Sequence, residues 1–181
     1  MKFEWFKHTH LNRFKGRATK SSHSRTIVFK HKPYYVKFPD LIFWLEFTRI
    51  PSITLIQTRH GYQTISNCRF RFQSLAVTGP NREHLLLPNM HTNQTVCLAG
   101  DVNVIKKNPD MLFEAAINRF FTSKFSQSFI ADEEKTFIKF LKQGVISFYR
   151  WPFEMPLIVS HHWKPIEKSE LTTRTGYGEI H

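Results

Sequence analysis

Between residues 24 and 77 the chain runs through short segments rich in β-branched and aromatic residues, SRTIVFK, PYYVKFP, DLIFWLEF, SITLIQT and NCRFRFQSLAV, bounded by prolines at 33, 39 and 51. Such residues suit a pleated, half-buried surface, and runs punctuated in this way read as successive strands. The last run alternates cleanly. Cys68, Phe70 and Phe72 point one way and Arg69 and Arg71 the other, the pattern of an antiparallel strand with one face on a core and one in water.

The flanks read differently. Phe3, Phe6, Leu11 and Phe14, with His10 beside them, are spaced to share one helical face, which predicts a short N-terminal helix ending near Gly16. The small polar stretch 16–24, GRATKSSHS, reads as a linker. Gly79-Pro80-Asn81 marks a turn, Leu85–Leu87 closes a further strand, and a long, mostly polar loop containing Cys97 follows. Asn108-Pro109-Asp110 then announces a helix: a capping side chain, a proline at the first helical position and an acid in the first turn. Its apolar face is Leu112, Ala115, Ala116, Ile117, Phe120 and Phe121. A second helix is expected from about Asp132 to Gln143, with Phe137, Ile138 and Leu141 inward and Gly144 as its stop. The order predicts an α+β domain rather than a βαβ repeat. It divides into a basic N-terminal helix or arm over 1–24, a core over 25–145 and a C-terminal extension over 146–181.

With 18 Phe among 181 residues and 41% hydrophobic residues, the chain can bury a core, which excludes disorder throughout. Two cysteines, Cys68 and Cys97, exclude a disulfide scaffold and a metal knuckle. The longest apolar stretches are short or broken by Glu46, Arg150 and Glu154, so no transmembrane helix is expected. The basic N-terminus lacks the apolar centre and cleavage site of a secretory signal. A place in the cytoplasm or within a virion or other particle is therefore expected. The net charge is +12, and residues 1–37 supply +9 of it, with Glu4 as their one acid. Lys2, Lys7, Arg13, Lys15, Arg17, Lys20 and Arg25 are thus candidates for binding a partner or the phosphates of a nucleic acid.

The segment Leu87–Leu98, LPNMHTNQTVCL, carries the chemistry if any does. Pro88-Asn89 is followed, eight residues after the Asn, by Cys97 between Val96 and Leu98. In this spacing the chain resembles the ubiquitin-conjugating enzymes, whose active-site segment has His-Pro-Asn and then a catalytic Cys in an Ile/Val-Cys-Leu context. Leu87 stands in place of the His, and Gln94 where a Gly is usual. The chain looks most like the divergent bacterial and phage relatives, which have Leu-Pro-Asn and an aromatic-x-Ser-x-Phe patch after the next helix, to which Phe121-Thr122-Ser123-Lys124-Phe125 is similar. The resemblance implies an N-terminal helix, an antiparallel meander, a long active-site loop and C-terminal helices. It also implies a thioester carrier of a ubiquitin-like modifier, loaded by an activating enzyme that docks on the first helix.

In that reading Cys97 is the nucleophile and the Asn89 side-chain amide steadies the oxyanion when an amine attacks. His91 and Asp101 lie near enough in sequence to orient that amine or accept its proton. Judged alone, Cys97 reads as a buried core thiol rather than a catalyst and Asn89 as a loop residue bonding its own backbone; the Pro-Asn spacing brings the two readings of Cys97 level. The alternative function is a non-catalytic basic structural or nucleic-acid-associated protein of a large assembly, a virion or ribonucleoprotein particle, such as one of a phage or mobile element. The pairs His8/His10 and His161/His162 lack a recognised ligand pattern and read as solvated or packing residues. Cys68 reads as core, and Trp151-Pro152-Phe153 and Trp163 as packing anchors. No metal or cofactor is expected, since no phosphate loop, dinucleotide fingerprint or zinc helix motif occurs.

Overall fold

A computed structural model describes residues 1–91, 93–98, 105–123, 131–149 and 158–172. In chain order its elements are β1 (Phe3–His8), β2 (Phe14–Lys20), β3 (His23–Phe29), β4 (Lys32–Phe38), β5 (Leu41–Thr58), β6 (Gly61–Thr78), β7 (His84–Leu85), β8 (Ile105–Lys106), α1 (Pro109–Thr122), α2 (Ala131–Gln143), β9 (Phe148–Tyr149), β10 (Trp163–Ile166) and α3 (Lys168–Thr172). The domain is mixed α+β with mostly antiparallel strands. One six-stranded sheet has the order β10-β1-β2-β5-β6-β8, beside the hairpin β3-β4 and the short pair β7-β9.

The N-terminal helix expected over residues 3–14 is instead a strand, a turn and the start of a second strand. Trp5 lies across from Gly16 and Phe3 across from Ala18. The helical spacing of Phe3, Phe6, Leu11 and Phe14 yields to long-range pairing: β1 is flanked by β2 on one side and β10 on the other. The expected linker at 16–24 is likewise mostly strand, in β2 and β3. Both the stretch assigned to an arm and the C-terminal extension supply strands to the main sheet.

The sheet's inner face carries Trp5, Phe14, Ala18, Phe43, Leu45, Phe47, Leu75 and Val77, all buried. In β6, Leu75 and Val77 share their parity while Phe70 and Phe72 have the other, yet all four are buried. The register shift at Glu46/Phe47 resolves this: Glu46 faces Ser74 and Phe47 faces Phe72, so exposed Gln73 is the extra residue of a β-bulge that resets which face points inward. α1 lies on this face. Phe113 stacks on Phe3 at 5.2 Å, and Phe120 meets Phe43 edge-on at 5.6 Å. Asn108 caps the helix by accepting the Asp110 N–H at 2.9 Å, as its sequence announces. α2 covers β3-β4 through Phe137 against Phe29 at 5.1 Å, and Gly144 ends it with φ 70°.

Gly16 sits where the aromatic layer meets the sheet. A Cβ there would lie 2.7 Å from the Trp5 ring and 3.0 Å from Phe113. Gly16→Val is expected to destabilise the domain by about 1–3 kcal/mol through overpacking, read as a lower denaturant midpoint at unchanged slope. An unchanged midpoint would mean that residues 1–20 lie off the core.

Candidate functional site

The segment that ends in Cys97 is held by the edge of β6. Unpaired strand edges leave backbone donors and acceptors to be satisfied, and here residues 94–96 satisfy them. Val77 N–H donates to the Gln94 carbonyl at 3.1 Å and Val96 N–H to the Leu75 carbonyl at 2.8 Å. The chain before this stretch doubles back on it. Met90 bridges Val96, His91 N–H donates to the Thr95 carbonyl at 2.8 Å, and Cys97 N–H donates to the Asn89 carbonyl at 2.7 Å. Two residues separated by eight positions are thereby fixed opposite each other. Cys97 is exposed, whereas Asn89 is only 2% exposed, and neither Nδ2 nor Oδ1 of its side chain has a hydrogen-bond partner among the described residues. A buried amide left unbonded is costly and uncommon in folded proteins.

Gln94, marked in the sequence only as standing where a glycine is usual, has a structural role of its own. It adopts φ 63°, the left-handed region where glycine is at ease. Glutamine holds the same backbone and adds a clamp: its buried Oε1 accepts the Leu85 N–H at 2.8 Å, and its Nε2 donates to the Leu85 carbonyl at 3.5 Å. The preceding turn is also tight. At Gly79 a Cβ would meet the Glu83 carboxylate and, at 2.6 Å, the Phe148 ring. Glu83 in turn accepts the Asn81 N–H at 2.7 Å. Leu85, Leu86 and Leu87 are buried beneath the site.

His91 is exposed in the turn between the two arms of this hairpin, and Asp101 lies outside the described residues, as do Trp151-Pro152-Phe153, Lys124 and Phe125. Cys68 is half-buried and packs against the core. The basic N-terminal residues do not form a free arm. Arg13 pairs with Glu46, and Arg17 with Glu4 at 2.8 Å. Lys15 donates to the Ile158 carbonyl and lies 4.4 Å over the Trp163 ring. Burial, partly offset by Glu46, holds Lys15 below the ordinary lysine value. Arg25 lies 4.4 Å and Lys20 5.9 Å from the centre of the Phe121 ring. Lys2 and Lys7 are exposed.

The fold also gathers the two histidine pairs. His8 stacks on His162 at 5.6 Å, His10 lies 5.8 Å from His162, and His161 lies 3.8 Å from His162. His8 Nδ1 accepts the N–H groups of His10 and Leu11, each at 3.1 Å. Among the described residues no group of three or more His, Cys, Asp or Glu is placed to hold a metal ion. Burial, then His162, His10 and Arg13, holds His8 below the ordinary histidine value, against an opposing pull from Glu46. Burial does the same, first among its causes, at His23 and His84.

Comparison with protein-family models, with curated proteins and with solved structures gives no match for this chain. Among the described residues no helix is long and apolar enough to cross a membrane.

Two outcomes follow for stability. Gln94→Ala, which keeps the left-handed strain and strips the Leu85 backbone of its partners, should cost about 1–3 kcal/mol. Gln94→Gly, which relieves the strain, should cost less; equal losses in urea melts would show that the conformation at 94 is not left-handed. A histidine whose folded value is lowered binds its proton more readily when unfolded, so its stabilising share is whole above about pH 6.5 and is lost as pH falls below it. The urea midpoint should therefore drop between about pH 7.5 and about pH 5.5, and the drop should shrink in His84→Gln. A midpoint level across that interval contradicts the half-buried placement of His23 and His84.

Proposed function

We propose that the chain is a ubiquitin-conjugating-like carrier that takes the C-terminal carboxyl of a ubiquitin-like modifier onto Cys97. The observation that carries this reading is the hairpin that sets an exposed thiol across a 2.7 Å backbone bond from Asn89, whose buried side chain has no partner among the described residues. Exposure matters because a thioester carrier must present its sulfur to two large partners in turn. The spacing in LPNMHTNQTVCL and the α+β order of the domain favour the same reading.

In the loading step the Cys97 thiolate attacks the thioester carbonyl carbon of the activated modifier. A new carbon–sulfur bond forms, the old one breaks, and the activating enzyme's thiolate leaves. In the second step an acceptor amine adds to the same carbon, giving a tetrahedral oxyanion that an amide N–H stabilises. Asn89 Nδ2 is the donor at hand. Collapse expels the Cys97 thiolate, and a base takes the amine proton; His91, exposed in the same hairpin, is the described residue able to serve. The activating enzyme cannot use a first helix here, because β1 and β2 stand in its place. Its docking surface would be those strands.

The test uses ubiquitin carrying a C-terminal alkyl thioester, which bypasses the activating enzyme. Wild-type protein should gain one modifier mass in a bond cleaved by thiol reductant; Cys97→Ser should gain none, and Cys68→Ser should behave as wild type. Asn89→Ala should load normally but release the modifier to free lysine more slowly, by roughly 10²–10³-fold if it is an oxyanion donor. Failure of Cys97 to react with a small alkylating reagent under native conditions would sink the carrier reading and favour a structural part of an assembly.

A further inference from the structure

The long hairpin β5-β6 extends past the strands that flank it. β2 pairs with β5 only as far as Phe47, and β8 pairs with β6 only at Phe70 and Arg71. Beyond those points, Thr48–Thr58 and Gly61–Arg69 have no strand partner among the described residues other than each other. A free two-stranded ribbon of about ten residues a side projects roughly 33 Å. An isolated ribbon of this kind has little reason to persist without a partner.

Its chemistry is one-sided. Residues 47–78 hold Arg49, Arg59, Arg69, Arg71 and His60 and contain no Asp or Glu, although the rest of the chain carries 14 acids. Arg49, at the root, is engaged: it lies 5.6 Å from the centre of the Phe14 ring and donates to the Glu170 carbonyl at 3.3 Å. Arg59 at the turn and Arg69 and Arg71 on the stem are exposed. Arg69 and Arg71 share one face with Ile50 and Thr48. Near the tip, Thr54 and Ile56 are exposed on this same face, whereas Leu55 and Tyr62 are diagonal neighbours on the other and are 67% and 74% exposed, with Gln57 exposed beside them.

We infer that this ribbon is a docking arm for duplex DNA, laying its arginine-bearing face in the major groove with Arg59, Arg69 and Arg71 on the flanking phosphates and Ile56, on the same face as Arg69 and Arg71, against base edges. The major groove, about 12 Å wide, admits a two-stranded ribbon. The ribbon's length matches about one helical turn of duplex, roughly 34 Å. Guanidinium groups with no carboxylate among them suit a dense row of phosphates, and their binding releases counterions. Exposed Ile56, near the tip of the arginine face, fits thymine methyl groups, which project into that groove. Such an arm works independently of thioester chemistry at Cys97.

The test is the affinity of the full chain for a duplex of about 30 base pairs, sufficient to span the roughly one-turn footprint, followed by fluorescence anisotropy across a salt series. Wild type should bind with an affinity that falls as salt rises. The triple variant Arg59→Gln/Arg69→Gln/Arg71→Gln should bind at least about tenfold more weakly, with a salt slope shallower by about 0.9 for each phosphate that is no longer neutralised. Lys2→Gln/Lys7→Gln should leave both quantities unchanged, and circular dichroism should show both variants folded. Ile56→Ser should lower affinity for A·T-rich duplex more than for G·C-rich duplex, whereas Leu55→Ser/Tyr62→Ser, on the opposite face, should not. Wild-type binding insensitive to the arginine triple, loss of binding only in the lysine pair, or binding to anionic vesicles without binding to duplex would each overturn the assignment.

Discussion

The free edge of β6 at Leu75–Val77 is the constraint on which the candidate site depends. A buried strand cannot leave its amide and carbonyl groups unbonded, and the chain meets this need by returning residues 94–96 along that edge. Once Val77 and Val96 are tied to Gln94 and Leu75, the chain from Asn89 to Cys97 has to close as a hairpin, and Asn89 and Cys97 fall opposite each other. Gln94 sits at the pivot, holding a left-handed backbone and anchoring it to Leu85. Beneath it, Leu85–Leu87 and Leu98 anchor the hairpin in the core while the thiol stays in water. The site is therefore a consequence of satisfying a sheet edge rather than of a separate loop fold.

The same sheet explains what became of the basic N-terminus. Its charge is real, but β1 and β2 use the alternate side chains Trp5, Phe14 and Ala18 to build the core, leaving the intervening positions to cations. There Lys15 and Arg17 meet Trp163, Trp44 and Glu4 rather than a free solvent-borne ligand. Arginine and lysine stems cover apolar surface readily while keeping their heads polar. Arg59 and Arg69, on the projecting half of β5-β6, are by contrast exposed.

Much of the fold is legible where local pattern and tertiary demand agree. The strands from Arg25 to Phe47, the inward Phe70 and Phe72, the Asn108 cap and the Gly144 stop all appear as the residues suggest. The N-terminal pattern misleads because Phe3, Phe6, Leu11 and Phe14 fit a helix in isolation, while the partners that make β1 a strand come from Phe14–Ala18 and, at the far end of the sequence, from Trp163–Ile166. Pro51 suggests a boundary between strands, yet β5 runs through it, because beyond Phe47 that strand has one unpaired edge where a missing N–H is tolerated. At the site, the spacing of Asn89 and Cys97 is visible in the sequence. The Gln94 clamp is not, since a glutamine carries no local signal for a left-handed backbone, and neither is the meeting of His8, His10 and His162, which only β1-β10 pairing produces.

The central claim is that Cys97 is presented by a rigid hairpin fastened to the β6 edge. Amide hydrogen exchange at single-residue resolution reads this directly, because the N–H groups of Val77, Val96 and Cys97 are each committed to a named carbonyl. The account predicts that these three amides are protected to a degree comparable with Phe43 and Leu45 in the centre of the sheet. Exchange of Val96 and Cys97 at the rate of an open loop, with Val77 unprotected as well, would contradict it.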